Sequence, residues 1–156
     1  MANGNGPTMR VTILLADSAQ AVNGKLYILG GGWSVTGPGP VPSALAIKIE
    51  VPWDRANQRH DLQIALLDVD GQPVKVPTPA GEIPLELKSQ FEVGRPAGVL
   101  PGTPLDVTLA VNLGPLPLRP GQRYVWRCTI NGETHEDWQV AFSTREQPPQ
   151  PAVIGP

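Results

Sequence analysis

The sequence predicts an all-β protein: a single antiparallel β-sandwich of about eight strands, of the jelly-roll or immunoglobulin-like type. Short segments alternate apolar and polar side chains with a period of two, as in residues 45–51 and 105–111. This period fits a strand with one buried face and does not fit a helix. Proline, glycine, Asn-Gly and Asp-Gly separate the segments and supply the residues that turns require.

Each predicted strand begins or ends at a turn signal. Asn23-Gly24 opens the second strand, Asp70-Gly71 follows the fourth, and Asn131-Gly132 joins the last two as a tight hairpin, because these pairs tolerate positive φ. Proline-rich connections separate most of the other strands. Because proline has no N–H group, these connections can cover strand ends without offering an edge on which another strand could pair. In chain order the strands are 10–17, 24–36, 43–51, 61–69, 84–93, 104–113, 122–131 and 134–143, and the proline-rich connections are 37–42, 73–84, 94–104 and 114–121.

The last predicted hairpin supplies one wall of the core. Alternate positions on its two strands carry large side chains, and a period of two places them on one face. These residues are Tyr124, Trp126, Cys128 and Ile130 on the first strand and Trp138, Val140 and Phe142 on the second.

The run Gly30-Gly31-Gly32 follows an apolar strand, where a phosphate-binding loop would begin. No G-x-G-x-x-G spacing and no Gly-Lys-Ser/Thr accompany it. We interpret the run as a glycine kink that lets a long strand bend between two sheets, with Trp33 and Val35 resuming the core pattern. The segment Asp68–Gly71 resembles the start of a calcium loop, but Pro79 stands where the loop would need its glutamate, so we interpret it as a turn.

Length and composition indicate one domain. The chain has 156 residues, enough for one hydrophobic core. We place the β-sandwich domain at 10–145, an N-terminal arm at 1–9 and a proline-rich C-terminal arm at 146–156, because both ends lack periodicity. The formal net charge is -2, with 12 basic and 14 acidic residues interspersed. No basic stripe is present, so we expect no nucleic-acid partner.

The sequence also indicates in which cellular compartment the protein is expected. A single cysteine, Cys128, cannot form an intramolecular disulfide. The apolar stretch after Arg10 is interrupted by Thr12 and Asp17, so it does not fit an export signal peptide. No segment reaches the ~20 apolar residues of a membrane span. We therefore expect a cytoplasmic or virion protein with no membrane partner.

Metal and catalytic residues are not expected. His60 lies beside Asp61 and near Asp54, and His135 lies within Glu133–Asp137, but neither has ligand spacing, because neighbours on a strand point to opposite faces. Cys128 is predicted to be an inert core thiol. We predict no catalytic residue, no metal and no cofactor, although a pair of carboxylates from different strands stays open as an alternative.

Five residues are candidates for interaction. Trp53 follows a strand end in a charged loop, where it suits an interface anchor, a sugar-stacking platform or a cap on the core. Val153 and Ile154 follow a stiff spacer and suit a plug that docks on a neighbouring subunit. The candidate interaction residues are Trp53, Arg55, Arg95, Val153 and Ile154.

Several segments of the sequence resemble those of a known family. They are residues 14–20, 24–33, 50–53, 66–74, 91–96 and 120–127. Together they resemble a small family of actinobacterial and actinophage proteins, over about residues 11–143. The resemblance implies a fold and a source, and it brings no activity and no assigned site residues.

We expect a non-enzymatic structural protein that forms a homo-oligomer. The expected role is a decoration, cement or other structural component of a phage virion or similar assembly, with the chain itself and a capsid or other assembly protein as partners. A ligand-binding module that holds a carbohydrate or small molecule near Trp53 is the alternative. A hydrolase with two carboxylates is the third hypothesis.

Overall fold

The computed structural model describes residues 8–149 and shows an all-β chain, as predicted. This part of the chain forms twelve strands and one short 3₁₀ helix at Trp53–Arg55. The strands are β1 (Arg10–Ala16), β2 (Ser18–Val22), β3 (Lys25–Leu29), β4 (Val35–Thr36), β5 (Ser43–Val51), β6 (His60–Asp68), β7 (Lys75–Thr78), β8 (Gly81–Pro84), β9 (Glu86–Phe91), β10 (Leu105–Leu113), β11 (Arg123–Ile130) and β12 (Gln139–Thr144). Within the described range, no helix is long and apolar enough to cross a membrane.

The strands form four sheets. A three-stranded sheet has the order β1-β5-β10, and a five-stranded sheet has the order β4-β12-β11-β6-β9. The hairpins β2–β3 and β7–β8 are separate two-stranded sheets. All pairings are antiparallel except that of β4 with β12, which is parallel. The prediction of about eight strands, all antiparallel, is therefore wrong in number and in this one pairing.

The extra strands lie where turn residues dominate the sequence pattern. The predicted strand 24–36 is divided into β3 and β4, and β2 falls in a segment predicted as a connection. The hairpin β7–β8 contains Pro77 and Pro84, which a two-stranded ribbon tolerates because its outer edges need no ladder partner. The Asn131-Gly132 turn forms with positive φ at both residues, but the returning strand begins only at Gln139.

One hydrophobic core joins the three-stranded and five-stranded sheets. The inward residues of β5 are Leu45, Ile47, Ile49 and Val51, all almost fully buried. From β11 and the segment after it, Tyr124, Trp126, Cys128, Ile130, Trp138 and Phe142 are buried in the same cluster, as the alternation predicts. Burying each large apolar side chain contributes roughly 1.5–3 kcal/mol, so this face dominates the stability.

The outer face of the three-stranded sheet has two halves. In one half the paired residues are small, with Ala44 beside Ala16 and Ala46 beside Ala110. The hairpin β2–β3 packs on these alanines, where Ala19 is buried and Leu26 is half-buried. The other half is charged, with Lys48 3.7 Å from Asp106 and Arg10 3.7 Å from Glu50. Small side chains thus mark where a second layer lies on the sheet.

Asn112 at the end of β10 holds the hairpin in place. Its Oδ1 accepts a hydrogen bond from the Ala19 N–H at 3.1 Å, and its Nδ2 donates to the Ala19 carbonyl at 2.8 Å. The side-chain amide therefore acts as a ladder partner for the free edge of β2. Satisfying both polar groups of a buried residue avoids a desolvation cost of about 1–3 kcal/mol for each.

The glycine run carries the chain from the hairpin back to the core. Gly30 has a φ of +60°, and a Cβ at this position would overlap the carboxylate of Asp17. A Cβ on Gly31 would lie 2.6 Å from Cγ2 of Ile28. Beyond the run, Trp33 packs edge-on against Phe142 with ring centroids 6.0 Å apart. The predicted bend inside one long strand is wrong, because the glycine run lies between β3 and β4, and the predicted core position of Val35 is wrong, because Val35 is exposed.

Alanine substitutions can separate the two reasons why glycine occurs at these turns, the positive φ and the close approach of a neighbouring side chain. Gly24, in the β2–β3 turn, has a φ of +73°, and a Cβ added to it would have no neighbour within 4 Å, so Gly24→Ala should cost only the left-handed strain of about 1–2 kcal/mol. Gly30→Ala adds to the same strain a contact with Asp17: the exposed carboxylate must rotate away, and the Asp17 Cβ at 3.2 Å leaves little room for the new methyl group. We expect the Gly30→Ala variant to unfold at a lower urea concentration than the Gly24→Ala variant, and equal midpoints would show that Asp17 moves aside without cost.

Candidate functional site

Trp53 and Arg95 come together although they are 42 residues apart. The Trp53 carbonyl accepts hydrogen bonds from Nε and Nη2 of Arg95, at 3.2 and 2.7 Å. The guanidinium carbon lies 4.7 Å from the centroid of the Trp53 ring. The ring is half-buried against the core. The Arg95 side chain therefore holds the 3₁₀ helix in two ways, by a cation–π contact with the Trp53 ring and by hydrogen bonds to the Trp53 carbonyl.

The buried His60 side chain contacts the same 3₁₀ helix from the core side. Its Nε2 lies 3.0 Å from the Arg55 carbonyl, and its Nδ1 lies 3.0 Å from Nδ2 of Asn131. Because the Asn131 amide nitrogen is a donor, Nδ1 accepts and Nε2–H donates, so both ring nitrogens of this neutral tautomer are used. Oδ1 of Asn131 in turn accepts from the Asp61 N–H at 2.9 Å. The third predicted residue, Arg55, thus contributes its backbone to an internal network.

The other predicted polar residues also have local partners. Nε2 of His135 lies 2.6 Å from Oε2 of Glu133, on the surface. Oδ1 of Asp68 accepts hydrogen bonds from the N–H groups of Asp70 and Gln72, both at 2.9 Å, and so caps the turn that resembles a calcium loop. Residues 8–149 contain no group of three or more His, Cys, Asp or Glu side chains arranged to hold a metal.

Cys128 is the one thiol of the chain and lies in the core. Its side chain on β11 is fully buried, and this burial raises the pKa of the thiol to about 12. A thiol with this pKa stays protonated near neutral pH, whereas thiolate is the nucleophilic form. The geometry therefore gives Cys128 a packing role.

An exposed apolar surface, which we name the hairpin face, covers the outside of β2–β3. In the ladder, Ser18 pairs with Leu29, Gln20 with Tyr27 and Val22 with Lys25. Residues paired in this phase share one face, and the packing of Ala19 and Leu26 on the sheet turns that face outward. Its apolar members Val22, Tyr27 and Leu29 are 45%, 56% and 71% exposed.

A second surface, which we name the arginine groove, lies on the outer face of the five-stranded sheet. Its cavity volume is about 440 Å³. Val125 of β11 pairs with Ala141 on one side and Leu67 on the other, so these residues form an apolar strip across three strands. Arg123 and Arg127 stand on either side of Val125, and both line the groove. Neither has a carboxylate within ion-pair distance in the described part of the chain.

Sequence reasoning misses both surfaces for identifiable reasons. The hairpin face is hidden when the pattern predicts one strand over 24–36, although Asn23-Gly24 is a two-residue hairpin signal between two apolar runs. The arginine groove needs strands from distant parts of the chain, so no local pattern shows it. Val153 and Ile154 lie outside the described residues, and their docking role stays a prediction, as do the interaction roles of Trp53, Arg55 and Arg95.

Comparison with protein families gives one match. A model of DUF6941, a family of unknown function, matches residues 11–142. The chain belongs to this family. The match covers nearly the same span as the resemblance found in the sequence, and it assigns no activity to DUF6941. Searches among curated proteins and among solved structures find no significant match.

The buried thiol of this DUF6941 member should lower the free energy of unfolding as the pH becomes alkaline. The pKa of Cys128 is raised to about 12 in the folded chain, whereas the ordinary value is 9.0. The folded state therefore holds the proton more tightly, so this contribution is complete below pH 9 and is lost as the pH rises from 9 toward 12. Between pH 8 and 11, the wild-type free energy of unfolding should fall by roughly 3 kcal/mol more than that of Cys128→Ala. Equal losses, or rapid labelling of the folded thiol at pH 8, would contradict this.

The clamp on Trp53 can be tested with two substitutions at one position. Arg95→Gln removes the cation–π contact and the charged donors to the Trp53 carbonyl, and we expect a loss of about 1 kcal/mol in the free energy of unfolding. Arg95→Lys keeps the charge but loses the planar pair of donors, so its loss should be smaller. Urea denaturation measures both. A glutamine variant as stable as the wild type would show that the clamp contributes nothing.

Proposed function

We propose that the protein is a non-enzymatic structural protein that associates with itself. The hairpin face is the observation that carries this proposal. Its three apolar side chains are exposed on the outside of a layer that already covers one half of the three-stranded sheet. Contiguous exposed apolar residues mark interaction surfaces, and burying each one again contributes roughly 1.5–3 kcal/mol.

The composition of the hairpin face suits contact between two copies. Tyr27 and Leu29 lie on neighbouring outward positions of β3, and Ser18, Gln20 and Lys25 surround them with polar groups. An apolar centre with a polar rim is the usual anatomy of a protein interface. In a homo-oligomer the same patch meets its copy about a two-fold axis, which is the commonest symmetry.

We further infer that the two larger sheets form a β-sandwich and that the assembly is a phage virion or a similar particle. The shared core of the two sheets supports the sandwich. The resemblance to actinobacterial and actinophage proteins supports the particle. In this role the protein serves as a decoration, cement or other structural component, and it contacts a capsid or other assembly protein besides itself.

A carbohydrate or small-molecule module centred on Trp53 has less support. Arg95 covers one face of the ring, and the core packs against the same side chain. A sugar-stacking platform needs a free aromatic face. The Trp53 corner thus resembles a structural support more closely than a ligand platform.

The oligomeric state of the full chain tests the proposal. Light scattering on a sizing column should give a defined oligomer for the wild type and a lower mass for Leu29→Glu, because the variant places a charge in the centre of the interface. Leu100→Glu is the matched control, since Leu100 is 76% exposed and lies outside the hairpin. The control should keep the wild-type mass. A wild-type monomer at all concentrations, or equal behaviour of the two variants, would overturn the proposal.

A further inference from the structure

We propose that the arginine groove binds an extended segment of another protein, one with acidic residues at positions i and i+4 and an aliphatic residue at i+2. The site is separate from the hairpin face, which lies on the three-stranded sheet. The groove would therefore bind an acidic partner protein in addition to the proposed self-association, and this proposal does not depend on the self-association.

The charges of the groove specify an acidic partner. Arg123 and Arg127 reach the groove from one strand and lack an ion-pair partner within residues 8–149, whereas Arg10, Lys48 and Lys88 each have one. The acidic residue in the lining, Asp68, is engaged by two backbone N–H groups of its own turn. Two guanidinium groups without a carboxylate partner, one on exposed Arg123 and one on half-buried Arg127, therefore lie beside an apolar strip. Carboxylates are planar anions that guanidinium groups bind in bidentate fashion.

The spacing of the groove specifies an extended segment. Arg123 and Arg127 are four residues apart on β11, which corresponds to about 13 Å along a strand. Side chains at i and i+4 of another extended segment repeat at the same distance and on one face. The position between the two acidic residues then lies above Val125, where Ala141 and Leu67 complete an apolar floor. An aliphatic side chain at i+2 fits this floor.

The walls of the groove also favour a polypeptide strand. At the Arg123 end of the groove, Val35 of β4 and Val69 of the turn after β6 lie on opposite sides of β11. A segment that runs along β11 passes between these two residues and over the outer face of the sheet. A cavity of about 440 Å³ along this path accepts several side chains of such a segment.

The chain itself does not contain the required pattern. Its acidic residues occur four apart at three places, 50 and 54, 82 and 86, and 133 and 137. The residues between these pairs are Pro52, Pro84 and His135, so none has an aliphatic side chain of the Val, Ile or Leu type at the centre. A second copy of this chain is therefore a poor occupant, and a different protein is the better one.

A labelled peptide tests the proposal with the full-length protein. The probe is the peptide Gly-Ser-Asp-Thr-Val-Thr-Asp-Ser-Gly with an uncharged fluorophore on its N terminus and an amidated C terminus, and fluorescence anisotropy measures its binding. We expect the double variant Arg123→Gln/Arg127→Gln to weaken binding by about 10-fold, the sum of two exposed ion pairs. Arg59→Gln, which removes an exposed arginine outside the groove, should leave the affinity unchanged.

Two control peptides separate charge from spacing. Replacing both Asp by Asn should weaken binding as much as the double variant does. Moving the acidic residues to i and i+2 should also weaken it, because one carboxylate then lies above Val125. The affinity of the original probe should fall when the salt concentration rises, since the pairs are exposed.

Three outcomes would overturn the proposal: no binding of the probe to the wild-type protein at millimolar concentration, equal binding by the wild type and the double variant, or equal binding of the Asp and Asn peptides. Thermal unfolding of the double variant shows whether its fold is intact. Because the hairpin substitutions do not touch the groove, a monomeric wild type with a groove-dependent affinity would overturn the self-association alone.

Discussion

The two faces of β5 set the arrangement of the rest of the molecule. Its inward residues are large and aliphatic, and they meet the five-stranded sheet in a close-packed core. Its outward residues Ala44 and Ala46 are small, so a hairpin can lie directly on the sheet. A larger side chain at either alanine would lift the hairpin and move Ala19 away from the amide of Asn112. One strand therefore determines both the core and the layer that carries the hairpin face.

The outer faces of the two large sheets differ in character. The three-stranded sheet is covered by a hairpin at one end and by ion pairs at the other. The five-stranded sheet leaves its outer face open, with an apolar strip between two arginines. Our proposals follow this difference: the first face would contact a copy of the chain through apolar side chains, and the second would bind an acidic extended segment through its two arginines.

The core can be predicted from sequence more fully than the surface. The alternation around Tyr124, Trp126 and Cys128 fixes which side chains are buried, because a strand in a two-sheet core allows only one phase. The bounds of β5 agree with the prediction, since Pro42 and Pro52 enclose a clean run. The split of 24–36 does not follow from the sequence pattern, because three glycines are compatible with a bend inside one strand and with a passage between two sheets.

The candidate sites depend on contacts that no local pattern encodes. Trp53 and Arg95 are both candidates from sequence, but their mutual contact requires a loop to return after 42 residues. Arg123 and Arg127 look like ordinary solvent-facing residues of an alternating strand. Only the pairing of β11 with β12 and β6 places Ala141 and Leu67 beside Val125 and gives the two arginines an apolar floor.

His60 connects two distant surface segments into one cooperative unit. The 3₁₀ helix at Trp53–Arg55 and the turn at Asn131-Gly132 touch opposite nitrogens of the same buried ring. If the turn opens, the imidazole loses its donor; if the helix opens, it loses its acceptor. In either case a buried polar ring is left half-satisfied, which is unfavourable. Backbone amides in the two segments should therefore exchange with solvent through a shared opening, although more than 70 residues separate them.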